Sequence, residues 1–193
     1  MRRCGAGTLV PADSLRTKIP SMQRRTTINP SQDTPEAAWA AGVRMLGRRE
    51  LSIAQVRERL ARRGWTETAI EPAIARLAAS GALDDARVAR ACARTRAGVK
   101  RQGRDRVLRE IEALGIAREV ARTAVDEVFG ALDEGDLLKA ALEKRLRARM
   151  SLSDPAVQRR LYAALVRQGF DAHAVRRAIR ERVRGEAGMK NEE

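Results

Sequence analysis

The chain predicts an all-α fold of tandem three-helix repeats, three modules in all, and three observations carry that prediction. The first is a pattern that recurs around Gly64, Gly115 and Gly169, at spacings of 51 and 54 residues. Four residues before these glycines stand Leu60, Ile111 and Leu165, and eight before stand Val56, Val107 and Leu161. Trp65, Ile116 and Phe170 follow at once; Ile70, Ala121 and Val175 lie six after, and Ile74, Val125 and Ile179 ten after. Apolar residues four apart on both sides of a glycine describe a helix, a glycine past its C-terminal end, and a second helix. The second observation is the distance from each unit's opening cap to its glycine: 30 residues from Thr34, 31 from Asp84 and 33 from Asp136. That leaves room for a third helix in every unit. The third is that no segment alternates with period two, so no sheet is expected.

Each element follows in order. Residues 1–33 hold six basic and two acidic residues, three prolines and no helical period. They read as a basic disordered tail, with translation from Met22 as the alternative. Thr34 caps a helix with Pro35 at its first position, and Trp39, Val43 and Leu46 are expected to share its inner face. Ser52 caps the helix ending at Gly64. Trp65 and Ile70 flank a Thr66 cap at hydrophobic-staple spacing, and Phe170, Asp171 and Val175 repeat the arrangement. Asp84 or Asp85 opens a long helix running to about Arg101, with a stripe Val88, Cys92, Thr95 and Val99 facing inward. Gly103 begins the next helix. Asp136 is expected to open the long helix of the third unit, and Ser153-Asp154-Pro155 its successor, lengthened by about one turn. The modules are thus expected at 34–82, 83–132 and 133–185, with 186–193 a flexible C-terminus.

Units of about 50 residues are marginal alone, so neighbouring units should stabilise one another. The chain has 193 residues, a formal charge of +14 and a pI near 11.3, which points to a polyanionic partner. Two cysteines, Cys4 and Cys92, are too few for a disulfide framework and fit a reducing, cytoplasmic setting. No run reaches transmembrane length, and no signal peptide is expected.

The densest charge feature lies between Asp85 and Glu110, where Arg87, Arg90, Arg94, Arg96, Lys100, Arg101, Arg104, Arg106 and Arg109 are opposed within that stretch only by Asp105. Arg87, Arg90, Arg94 and Arg101 have spacings that place them on one helix face, a ridge suited to phosphates or to acidic side chains of a protein filament. Arg176, Arg180 and Arg184 form a second cationic face. Lys144, Arg145, Arg147 and Arg149 close an earlier helix, where stabilising the helix dipole explains them equally well. Aromatics are scarce, with Trp39 and Tyr162 the only rings left for exposure, so any DNA contact is expected to be backbone-directed and independent of sequence. Catalysis finds no support. His173, the only histidine, falls in a first helical turn; no phosphate-cradling loop or Cys/His metal spacing occurs, and Asp84 and Asp85 read as caps. No cofactor or metal is expected.

These residues resemble the RecX regulators of the RecA recombinase. The likeness rests on Leu46-Gly-Arg-Arg-Glu-Leu-Ser52 leading into Val56, Leu60 and Gly64; on Gly81-Ala-Leu-Asp-Asp85 and the basic helix after it; and on Gly103 followed by Glu110-Ile-Glu-Ala-Leu-Gly-Ile116. It spans about Thr34 to Gly185. Val88 departs from it, since the family commonly has phenylalanine there. The resemblance implies tandem three-helix modules in a curved, elongated molecule without catalytic activity. It implies binding along the groove of a RecA–single-stranded-DNA–ATP filament, restraining filament growth, ATP turnover and strand exchange in DNA repair and the SOS response; the chain itself is expected to be a monomer. On this reading, reversing charge at Arg87, Arg90 and Arg94 weakens inhibition without unfolding the protein. The competing expectation is an autonomous, sequence-independent DNA-binding helical protein; an enzyme with an unrecognised site ranks below both.

Overall fold

Local capping chemistry sets where the helices begin. The structure, a computed structural model, describes residues 33–146 and 152–189, which form nine α-helices and no strand. They are α1 (Pro35–Leu46), α2 (Ile53–Arg62), α3 (Glu67–Ala79), α4 (Asp85–Arg94), α5 (Arg104–Glu112), α6 (Arg118–Gly130), α7 (Glu134–Arg145), α8 (Pro155–Arg167) and α9 (Ala172–Met189). The tail expected at 1–33, apart from Asp33, lies outside the described residues, as do Cys4, Arg147 and Arg149. Thr34, Ser52, Asp84 and Asp154 each accept a first-turn backbone N–H, and Ser52 completes a capping box with Gln55. Asp171 caps α9 through the Ala174 N–H at 2.8 Å. Thr66 is not a side-chain cap; its hydroxyl meets Thr68, and its own N–H donates to Asp33.

The helices form three groups of three, each around its own core. The first core unites Leu51, Val56, Leu60, Ile70, Ile74, Leu77 and Leu83; the second Val107, Ile111, Ile116, Val125 and Phe129; the third Leu138, Leu152, Leu161, Leu165, Phe170, Val175 and Ile179. Every apolar position of the repeated pattern is buried except Trp65, which is half-buried. Gly64, Gly115 and Gly169 adopt φ of 100°, 76° and 92°, a left-handed turn that glycine enters without Cβ strain. At 13 residues, α8 is about one turn longer than α2 (10) and α5 (9), as the spacing predicted.

Four further expectations are corrected. The buried face of α1 is Ala38, Ala41, Gly42 and Met45, not Trp39, Val43 and Leu46; Val43 is exposed. The small residues admit α3 so closely that a Cβ at Gly42 would stand 2.6 Å from Leu77 Cδ1. Next, α7 opens at Glu134, because Asp133 accepts the Asp136 N–H and is the cap. The inner stripe of α4 is Val88, Ala89 and Ala93, continued by Ala97 beyond its end, with Cys92 only half-buried. Beyond Arg94 the helix widens into a π-helical turn, Thr95–Val99, which shifts the side-chain register and leaves Val99 74% exposed. Finally, α9 continues past Gly185, and Glu186 accepts the Leu152 N–H at 3.2 Å.

Candidate functional site

Two seams join the modules, and both use one register. At the first, the buried Ser52 hydroxyl donates to the Leu114 carbonyl at 2.5 Å, and the Ile53 N–H donates to Asp85 Oδ1 at 2.9 Å. At the second, the Gly103 N–H donates to the Gln168 carbonyl at 2.9 Å, and the Asp105 N–H to the Gly169 carbonyl at 3.3 Å. In each, the residue before a marker glycine offers its carbonyl to the cap of the preceding module's second helix.

The predicted cationic ridge is largely consumed by this architecture. Arg87 pairs with Glu50 at 2.8 Å and donates to the Gly81 and Ala82 carbonyls, so it ties α4 to the first module. Arg90 faces Glu127 at 3.9 Å. Arg104 bridges Asp126 and Glu134 above the Phe129 ring. Arg96 and Arg106 both meet Glu110, which also accepts from Gln102. Burial pushes the Glu110 carboxyl up, but Arg106, Arg96 and Gln102 together hold it below its ordinary value. Arg101 is not on the face of α4: it lies beyond the π turn at φ 53° and donates to the Ala140 carbonyl. Arg94, Lys100 and Arg109 are exposed and make no ion pair among the described residues. The acids that neutralise the ridge come mostly from other elements, so counting charges within one segment misses them.

Free cations instead line three grooves. Arg44, Arg48, Arg49, Arg59 and Arg63, with Met45, line one of about 290 Å³ on the first module. Lys100, Lys144, Arg145 and Arg160 line one of about 610 Å³ where α7 and α8 meet the second module. There Arg145 is anchored on Gln168 Oε1 by two hydrogen bonds of 2.9 and 2.7 Å. Arg159, Arg176 and Arg180 line a third, of about 570 Å³, where Arg176 sits 5.2 Å from the Tyr162 ring centroid. Arg184 is exposed farther along α9. Trp39 likewise lies under Arg76, at 4.2 Å, so neither ring offers a bare stacking face. The Arg44–Arg63 cluster is not among the sites expected from sequence; its only signals there are Arg48 and Arg49 within the Leu46–Ser52 segment and the four-residue spacing of Arg59 and Arg63. The densest free charge is on the first module, not the middle one.

Comparison with known proteins places this arrangement. The RecX first three-helix domain matches residues 38–77 and the RecX third three-helix domain matches residues 133–179. The Regulatory protein RecX of Prosthecochloris aestuarii is 31% identical over 136 residues, covering 70% of this chain and 87% of that protein. That of Syntrophotalea carbinolica is 30% identical over 134 residues, covering 69% and 88%. The chain belongs to the RecX family. The crystal structure of RecX from Lactobacillus salivarius shares the fold, with a TM-score of 0.66 at 19% identity over 78% of this chain and 97% of that one.

The segments that carried the RecX resemblance converge on the first seam. Glu50 and Ser52 come from the first, Asp85 from the second, and Leu114 and Gly115 from the third. Val88, where phenylalanine is common, remains in the core of the second module. Among the described residues no helix is long and apolar enough to cross a membrane, and no cluster of His, Cys, Asp or Glu could hold a metal.

Proposed function

We propose that this RecX-family chain is a non-catalytic regulator that binds the RecA–single-stranded-DNA filament and restrains RecA ATP turnover, strand exchange and filament extension. Membership of a family of regulatory proteins carries the reading. Free cations distributed over all three modules support it, because linked modest contacts raise effective concentration and turn weak single contacts into avidity. The contact candidates from the middle module narrow to Arg94, Lys100 and Arg109, joined by Arg176, Arg180 and Arg184 on α9. Arg87, Arg101, Arg104 and Arg106 are engaged within the fold. Charge reversal at Arg87 would break its pair with Glu50 at the first seam, so it is not a clean test of binding.

The test is single-stranded-DNA-dependent ATP hydrolysis by the cognate RecA with increasing amounts of this protein. Hydrolysis is expected to fall at substoichiometric to equal amounts, and less steeply with Arg94, Lys100 and Arg109 reversed. Unchanged hydrolysis, with no binding to filaments, overturns the proposal. Specific duplex binding in the absence of RecA would favour the autonomous DNA-binding alternative.

A further inference from the structure

We infer that the arginine groove on the first module is a binding site for the phosphates of a nucleic-acid backbone. The site deepens the reading above by naming where a nucleic-acid strand lies, and rests on that reading only for its setting; the binding itself needs no RecA. The groove is assembled from the last turn of α1, the connection after it and the C-terminal half of α2, which bring Arg44, Arg48, Arg49, Arg59 and Arg63 together. The nearby acids are engaged elsewhere: Glu50 on Arg87, Glu58 on Arg62 and Glu71 on Arg57. None of the five groove arginines has an ion-pair partner among the described residues. Burial, then repulsion from Arg49, lowers the proton affinity of the half-buried Arg59 guanidinium, with Arg62 and Arg63 adding to it and Glu58 opposing it.

Helix-dipole stabilisation does not account for the cluster. That effect is confined to the last turn of a helix, and Arg48 and Arg49 lie beyond the end of α1. Charge density favours phosphate over an acidic protein surface. A nucleic-acid strand supplies one uncompensated charge about every 3.4 Å, enough to meet five guanidinium groups in one small groove. Guanidinium forks also match phosphate oxygens two at a time. No aromatic residue lines the groove, so bases have no stacking platform there and the contact is with the backbone alone.

The experiment titrates the full chain against a fluorescein-labelled oligo-dT of about 20 nucleotides, following anisotropy between roughly 50 and 200 mM salt. Arg48→Gln, Arg49→Gln and Arg63→Gln are combined; all three side chains are exposed, so folding should be preserved, as circular dichroism would verify. A control variant carries Arg118→Gln, Arg122→Gln and Arg177→Gln, with the same loss of charge at other exposed positions. The groove variant is expected to bind at least about tenfold more weakly at low salt, with the log–log salt slope shallower by about 2, at roughly 0.7 per lost single-strand contact. The control should retain most of the affinity and slope. Equal losses in the two variants would overturn the site. So would displacement of the oligonucleotide by poly-glutamate of matched charge as effectively as by unlabelled oligo-dT, which would assign the groove to acidic protein. Displacement by inorganic triphosphate at matched charge would reduce the site to one for isolated phosphate groups and overturn the strand. RecA ATPase inhibition by the unaltered protein is read in parallel. Retained inhibition with equal losses in both variants removes only the groove; absent inhibition with a groove-specific loss removes only the filament reading.

Discussion

The two seams repeat one register with different chemistry. The first is held by side chains: the Ser52 hydroxyl, the Asp85 carboxylate and the Arg87–Glu50 pair. The second is backbone against backbone. Gly103 and Gly169 face each other so closely that a Cβ on either would overlap its neighbour's main chain, while Gln168 both donates to the Arg101 carbonyl and accepts from Arg145. A side-chain seam can lose its contacts one atom at a time; main-chain contact cannot. The residue four before Val56 is Ser52, and four before Val107 is Gly103; four before Leu161 is Val157, buried in the third core. In α8 the additional turn puts Val157, a buried residue of the helix itself, where α2 and α5 carry their docking caps.

Four measurements would break or sharpen this contrast. Gly169→Ala should have the largest effect, roughly 2–5 kcal/mol lost in denaturant unfolding, because it combines positive φ with overlap on the Arg106 backbone. A loss below about 1 kcal/mol would show that the second seam yields. Gly115→Ala should cost less, about 1–3 kcal/mol, since its Cβ meets only the Ala54 methyl. Adding Ala54→Gly should recover part of that loss with a coupling above about 0.5 kcal/mol, whereas additive effects would place the whole cost in the turn itself. Ser52→Ala removes both a cap and the Leu114 contact, for about 1–2 kcal/mol in thermal unfolding.

The smallest effect separates the α4 cap beside the first seam from the second seam by pH. Asp84 is held below the ordinary carboxylate value, chiefly because it accepts the Arg87 backbone N–H. Its stabilisation is therefore complete above the unfolded value of about 3.9 and is lost as pH falls through the lower folded value. Hydrogen exchange between about pH 5 and pH 2.5 should show protection of the Arg87 amide declining more than that of the Gly103 amide, whose acceptor is a carbonyl that does not titrate in this range. Parallel decline would place the α4 cap and the second seam under one global opening.

Much of the fold was legible because its signals act over a few residues. A cap reaches two or three positions along the chain, as at Asp154 and Ser52, and a glycine turn is decided at the glycine. The misplaced start of α7 is the same chemistry shifted by three residues, from Asp136 to Asp133. The inner face of α1 was misread because hydropathy favours Trp39 and Val43, whereas close approach of α3 selects Ala and Gly. The ridge was misread for a different reason. Its composition was plain, but Glu50, Asp126, Glu127 and Glu134 reach it from other elements.

By itself the sequence determined the repeat, its three helices per unit, most of the caps and the lengthened α8, all consequences of backbone hydrogen bonding and apolar periodicity within a turn or two. Only the tertiary structure decided which cations are free and what two of the marker glycines do beyond turning the chain. Ion pairs join residues as far apart as Glu50 and Arg87, and the turns at Gly115 and Gly169 bear on helices of the preceding module. Coulomb attraction and steric exclusion act through space, and those distances exist only once the modules have packed.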